Sequence, residues 1–176
     1  MPFWTSDRIV SISAMGISLI TLVIFVRQTN LMEEQSHLSV MPYLRVEILN
    51  DNENHFTRMD IHNYGVGPAI IESREIALNG EWSEVEFVDF FFDHAEGMRG
   101  ADFKADGNLT PGNAIPAGSS RMILVLCDEP DCMARLRKAV IGLNENGYDF
   151  RIRYKSIYGD RWEITSDGSE PKSLER

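Results

Sequence analysis

Cysteine is scarce in this chain: Cys127 and Cys132 are the only two among 176 residues. A structural zinc site takes about four Cys or His ligands. No second pair lies at metal spacing, and His37, His55, His62 and His94 are scattered, so no metal or cofactor is expected. Clustered positive charge is also lacking, and the formal net charge is −10. Without Asp7, Arg8 and Arg27 of the first 27 residues, 15 basic and 26 acidic residues remain, a net of −11. Nucleic-acid binding runs on clustered Lys and Arg, so a nucleic-acid partner is excluded. Anionic lipid headgroups would repel the same surface, and the domain is expected to stand off the membrane rather than lie on it.

Motifs for catalysis are missing as well. Ser119-Ser120 lacks the glycine elbow of serine hydrolases. Gly65-x-Gly67-Pro68 is followed by Ala69-Ile70-Ile71, which opens a strand, whereas a phosphate-binding glycine loop opens a helix. Asp89, Asp93, His94 and Glu96 are expected on different faces of a short helix. Asp102, Asp106 and Asn108 depart from calcium-loop spacing and have Lys104 in their midst. The chain reads as a non-enzyme.

What is present begins with an apolar run. Ile9 to Val26 carries no charge and is bounded by Arg8 and Arg27. About 20 apolar residues span a bilayer core, with a lower limit near 17. A cleaved signal would have an apolar stretch of about 7–15 residues and then a small-x-small site. Phe25-Val26-Arg27-Gln28 offers no such site, so residues 1–27 are read as a short tail and an uncleaved transmembrane signal-anchor. Positive charge near the two ends almost balances, so the positive-inside rule barely orients the helix. The short tail and the paired cysteines favour the domain outside the cytoplasm. Within the run, Ser11, Ala14, Ser18 and Thr21 share one helical face. Small residues let helices approach closely in lipid, which makes this a candidate helix-packing face.

Residues 28–41 read as a helical stalk, closed by Pro42. From there apolar and polar residues alternate. Strands are predicted over Tyr43–Leu49, Phe56–Asn63, Ala69–Leu78, Arg121–Leu126, Tyr148–Tyr154 and Arg161–Thr165. Asn79-Gly80 marks a two-residue hairpin. A short helix is expected over Ser83–Ala95. A second is expected over Asp131–Leu143, capped by Asp131, with Met133, Leu136, Val140 and Leu143 on its buried face. The polar tail 166–176 is expected to be loose. About seven strands with one or two short helices over 42–165 predict an immunoglobulin-like β-sandwich.

The apolar helix, the polar stalk, Pro42-Tyr43-Leu44, Asn63-Tyr64-Gly65-Val66-Gly67-Pro68-Ala69 and Tyr154-Lys155-Ser156-Ile157-Tyr158-Gly159-Asp160-Arg161-Trp162 come in that order. In these segments the chain resembles a group of small uncharacterised bacterial membrane proteins with an N-x-G-x-G-P-A turn. The resemblance implies a bacterial inner-membrane location and a sandwich-like fold, and it implies no activity.

Two further features bear on function. Cys127 and Cys132 either stay as thiols at a strand end and a helix start or form a disulfide, which requires an oxidising compartment. Arg151, Arg153 and Lys155 alternate with Phe150, Ile152 and Tyr154, near Tyr158, Arg161 and Trp162 across a hairpin. Arginine and aromatic residues are favoured at interface hot spots, so these six form a candidate partner surface. The expected function is a membrane-tethered interaction or accessory domain, its partners the membrane and another membrane or envelope protein. The alternative is a small-ligand or ion-binding sensor domain on the same anchor.

Overall fold

The computed structural model describes residues 6–51, 56–98, 109–127 and 130–174, in two units, Met1–Ser39 and Val40–Arg176. The first unit is one helix, α1 (Ser6–Leu38), with no buried residue. It is long and apolar enough to cross a membrane. The segments predicted as anchor and stalk thus form one continuous helix. A helix suits such a segment because it satisfies its own backbone groups where no water can. Its hydroxyls follow suit. Ser11, Ser18 and Thr21 donate to the carbonyl oxygens of Asp7, Ala14 and Ile17 at 2.8, 2.8 and 2.9 Å.

The second unit holds nine strands among the described residues, in two antiparallel sheets. The smaller runs β1 (Leu44–Asp51), β2 (Phe56–Asn63), β6 (Ser120–Cys127). The larger runs β4 (Glu81–Ser83), β3 (Ala69–Leu78), β7 (Asp149–Lys155), β8 (Arg161–Thr165), β9 (Lys172–Leu174), with β5 (Ala114–Ile115) also on β3. Asn79 and Gly80 turn β3 into β4 with φ of 53° and 83°, the two positive values that a tight hairpin needs.

One core draws on both sheets. Alternation along β7 buries Phe150, Ile152 and Tyr154. The register sets Ile152 opposite Ile164 and Tyr154 opposite Trp162, so β8 adds its apolar face to the same side. Ile61 of β2 and Leu124 of β6 are fully buried from the other sheet. Each such side chain contributes about 1.5–3 kcal/mol by leaving water. The Leu44 N–H donates to the Tyr154 hydroxyl at 3.3 Å and ties β1 to the larger sheet. Burial pushes that hydroxyl up to about 12, so it stays neutral in its role as acceptor.

Two helices close the core. α2 (Phe87–His94) buries Phe87, Phe90 and Phe91. It starts later than the predicted Ser83 because Glu81–Ser83 completes the hairpin with β3. α3 (Pro130–Glu145) starts with proline, which fits a first helical turn, and Asp131 lies inside it rather than at its cap. Cys132, Leu136, Ala139 and Leu143 are buried, whereas Val140 is exposed. The buried stripe is therefore rotated from the predicted one, with Ala139 in place of Val140. The tail contributes β9 on the edge of β8, an addition to the expected strand set. The Asp102, Asp106 and Asn108 loop and the turn residues 52–54 lie outside the described residues.

Candidate interaction surfaces

The outward face of the larger sheet carries the predicted basic stripe, and there every one of its cations meets a carboxylate. Register places Glu75 opposite Arg151 and Glu163 opposite Arg153. Arg151 donates to Glu75 at 2.9 Å and Arg153 to Glu163 at 2.8 Å. Lys155 and Arg161 face each other across β7 and β8, a repulsive pairing on its own. Glu72 resolves it by accepting from Lys155 Nζ at 3.1 Å and Arg161 Nε at 2.9 Å. Glu72 sits where the β3–β7 register shifts between Ile71 and Ser73, and such an irregularity re-aims a side chain.

These contacts set the acidity of the two glutamates. Burial pushes Glu72 up, but the hydrogen bonds from Lys155 and Arg161 outweigh it and leave the carboxyl below its ordinary value. The Arg151 hydrogen bond pulls Glu75 down against a smaller effect of burial. The same bond raises Arg151.

An aromatic extends this face. The Arg151 guanidinium carbon lies 4.2 Å above the Trp82 ring, and Trp82 is 41% exposed. Tyr158 is exposed in the β7–β8 turn, its N–H bonded to Ser156 Oγ at 3.2 Å. Trp162 is not part of the surface. It points into the core and stacks on Tyr154 with ring centroids 5.8 Å apart. Period-two alternation requires this, since its neighbours Arg161 and Glu163 take the outer face.

The outer face of the smaller sheet holds a cluster that sequence reasoning missed. His62 Nε2 lies 3.7 Å from Glu47 and 3.9 Å from Asp60. Tyr64 stacks on His62 and donates to Glu47 at 2.7 Å, which raises the Tyr64 hydroxyl above its ordinary value. Asp60 is buried although it faces outward, with Arg58 Nε 2.9 Å from its carboxylate. The residues come from two strands, and only the β1–β2 register brings them together. Among the described residues, no three His, Cys, Asp or Glu side chains are placed to hold a metal ion.

Two hollows flank α3. One of about 600 Å³, of mixed lining, gathers Asp93, His94 and Glu96 with Lys138 and Glu145. His94 is held there by a stack on Phe90 and a 2.9 Å contact between Nδ1 and the Phe90 carbonyl oxygen. The other is an apolar groove of about 760 Å³ between β1, β2 and α3. Ile48 and Ile141 stand on its lips, 59% and 53% exposed.

On α1, Ser11, Ala14, Ser18 and Thr21 are all exposed, and the three hydroxyls are spent on their own helix. Cys132 is buried and disulfide-bonded, and the chain has one other cysteine, Cys127. Compared with family models, with curated proteins and with solved structures, the chain matches none.

Proposed function

We propose that the chain is a membrane-tethered, non-catalytic interaction module of the bacterial inner membrane, with α1 as anchor and the sheet-rich unit on the periplasmic side. The location follows from the resemblance of its segments to small bacterial membrane proteins, and the bonded state of Cys132 supports an oxidising compartment. The sheet-rich unit is read as an immunoglobulin-like sandwich. In that fold strands A, B and E share one sheet while C, F and G share the other, with C′ beside C. The orders β1-β2-β6 and β4-β3-β7-β8 fit this pairing, with β4 as C′.

The observation that carries the function is the Trp82–Arg151 pair on an exposed, ion-paired sheet face. A tryptophan left in water is costly unless something covers it, and arginine over tryptophan is a common anchor at interfaces. With Arg151, Arg153, Lys155 and Arg161 already neutralised by Glu72, Glu75 and Glu163, a partner meets a flat, nearly charge-balanced surface.

The test is photo-crosslinking in cells with the full chain, placing a benzophenone residue at position 82 or, as control, at exposed Glu170. Discrete adducts from position 82, lost on Tyr158→Ala or Arg151→Ala, are the expected result. The same pattern from both positions defeats the reading.

A further inference from the structure

The apolar groove beside β1 has the parts of a strand-addition site. β1 is the edge of its sheet, paired among the described residues only with β2. The Tyr43 carbonyl accepts from Tyr64, so Tyr43, Arg45, Glu47 and Leu49 turn their backbone groups toward β2. The even residues turn theirs to the free edge, as the Leu44 N–H bonded to Tyr154 shows. Among the described residues, Ile48 and Asn50 have no strand partner at that edge, and their side chains line the groove as well. Across it stand Met133, Leu136, Val140 and Ile141 of α3.

Charge selects the occupant. In a domain of net −9 (15 basic and 24 acidic residues over Val40–Arg176), Arg74, Arg151, Arg153, Lys155 and Arg161 each have a glutamate partner. Arg137 has none among the described residues, and it sits exposed on the groove wall, with Lys138 beside it. We propose that the groove receives an extended segment of a partner polypeptide, which adds to the edge of β1, drops alternate apolar side chains between Ile48 and Ile141, and sets a carboxylate on Arg137. Main-chain bonds would supply affinity, and alternate side chains specificity. The proposal rests on the reading of the chain as an interaction module, but not on the Trp82 face.

The full chain in nanodiscs of zwitterionic lipid is used to select from a phage-displayed library of random dodecapeptides. Enriched peptides are expected to alternate apolar and polar residues and to hold Asp or Glu at one fixed position. Arg137→Glu should weaken them at least tenfold, as should Ile141→Asp. Methylating peptide nitrogens should weaken binding at every second position only. No enrichment, apolar residues spaced three and four apart, or indifference to Arg137→Glu overturns the proposal. A dimer of the chain itself that Ile141→Asp dissolves also overturns it, since the occupant would then be a second copy. Trp82→Ala should leave peptide binding unchanged, which separates this result from any failure of the outer-face reading.

Discussion

The side-chain amide of Asn63 donates to the Gly67 carbonyl oxygen at 2.8 Å. The same nitrogen donates to the Ile115 carbonyl at 2.9 Å, and Oδ1 accepts from the Tyr43 and Gly65 N–H groups at 3.1 and 3.0 Å. One fully buried side chain thus satisfies four backbone groups from three segments. The loop it organises grips the segment that enters the domain. A Cβ added at Gly67 would lie 1.9 Å from the Val40 carbonyl oxygen, and one at Gly65 would lie 2.4 Å from that of Met41. The glycines are there for close backbone approach, in keeping with a structural turn rather than a phosphate-binding loop.

Asn63→Ala should therefore strand several buried backbone groups and cost roughly 3 kcal/mol or more. Gly67→Ala should cost a comparable amount, because backbone rather than a flexible side chain blocks the new methyl. Gly142→Ala is the control. Nothing lies within 4 Å of its Cβ, and alanine at a helical position stabilises by about 0.5–1 kcal/mol. Urea-dependent proteolysis of the full chain in detergent would rank the three.

The parts of this architecture that are legible in sequence are the local ones. Phe150, Ile152 and Tyr154 alternate with three cations over one strand, and Asn79-Gly80 needs no partner to declare a turn. What stays hidden depends on which strands become neighbours. Glu75 lies 76 residues from Arg151, and nothing local announces that they meet. Trp162 looked available to a partner until its opposition to Tyr154 turned it inward. On α3, Ala139 and Val140 are both apolar, and only docking against β6 decides which is buried. Lys172–Leu174 shows no strand pattern because an outer strand can be polar on both faces.

The ion-paired face predicts an acid-dependent loss of stability. Glu72 and Glu75 titrate below their ordinary value of 4.5 when folded. Between that value and their lower folded values, the unfolded chain binds more protons than the folded one. Their contribution is thus present above about 4.5 and disappears as pH falls through the folded values. Glu75→Gln should lower stability at neutral pH by about 0.5–1 kcal/mol, the range for partly exposed pairs. It should also flatten the decline in stability below pH 4.5, and half-molar salt should shrink the difference. Denaturant titrations at a series of pH values measure both slopes, and parallel curves for the two proteins would contradict the assignment.

The cysteines give the test of sidedness. Cys132 is bonded, and its sequence partner is five positions away, so the ring it closes is short. Chain-entropy arguments assign such a ring about 2 kcal/mol. A bond of this kind survives in the periplasm and is reduced in the cytoplasm. Intact cells treated with a membrane-impermeant maleimide should show no labelling of the chain without reductant. Mild reduction with an impermeant phosphine should then allow labelling of the chain before lysis, at one thiol in the folded domain and at both once it is denatured, because Cys132 is buried. Labelling that appears only after lysis, and without any reductant, would place the domain in the cytoplasm. It would remove the bond as a stabilising element, and Cys132→Ala would then be judged by packing alone, since that side chain is 1% exposed against the core.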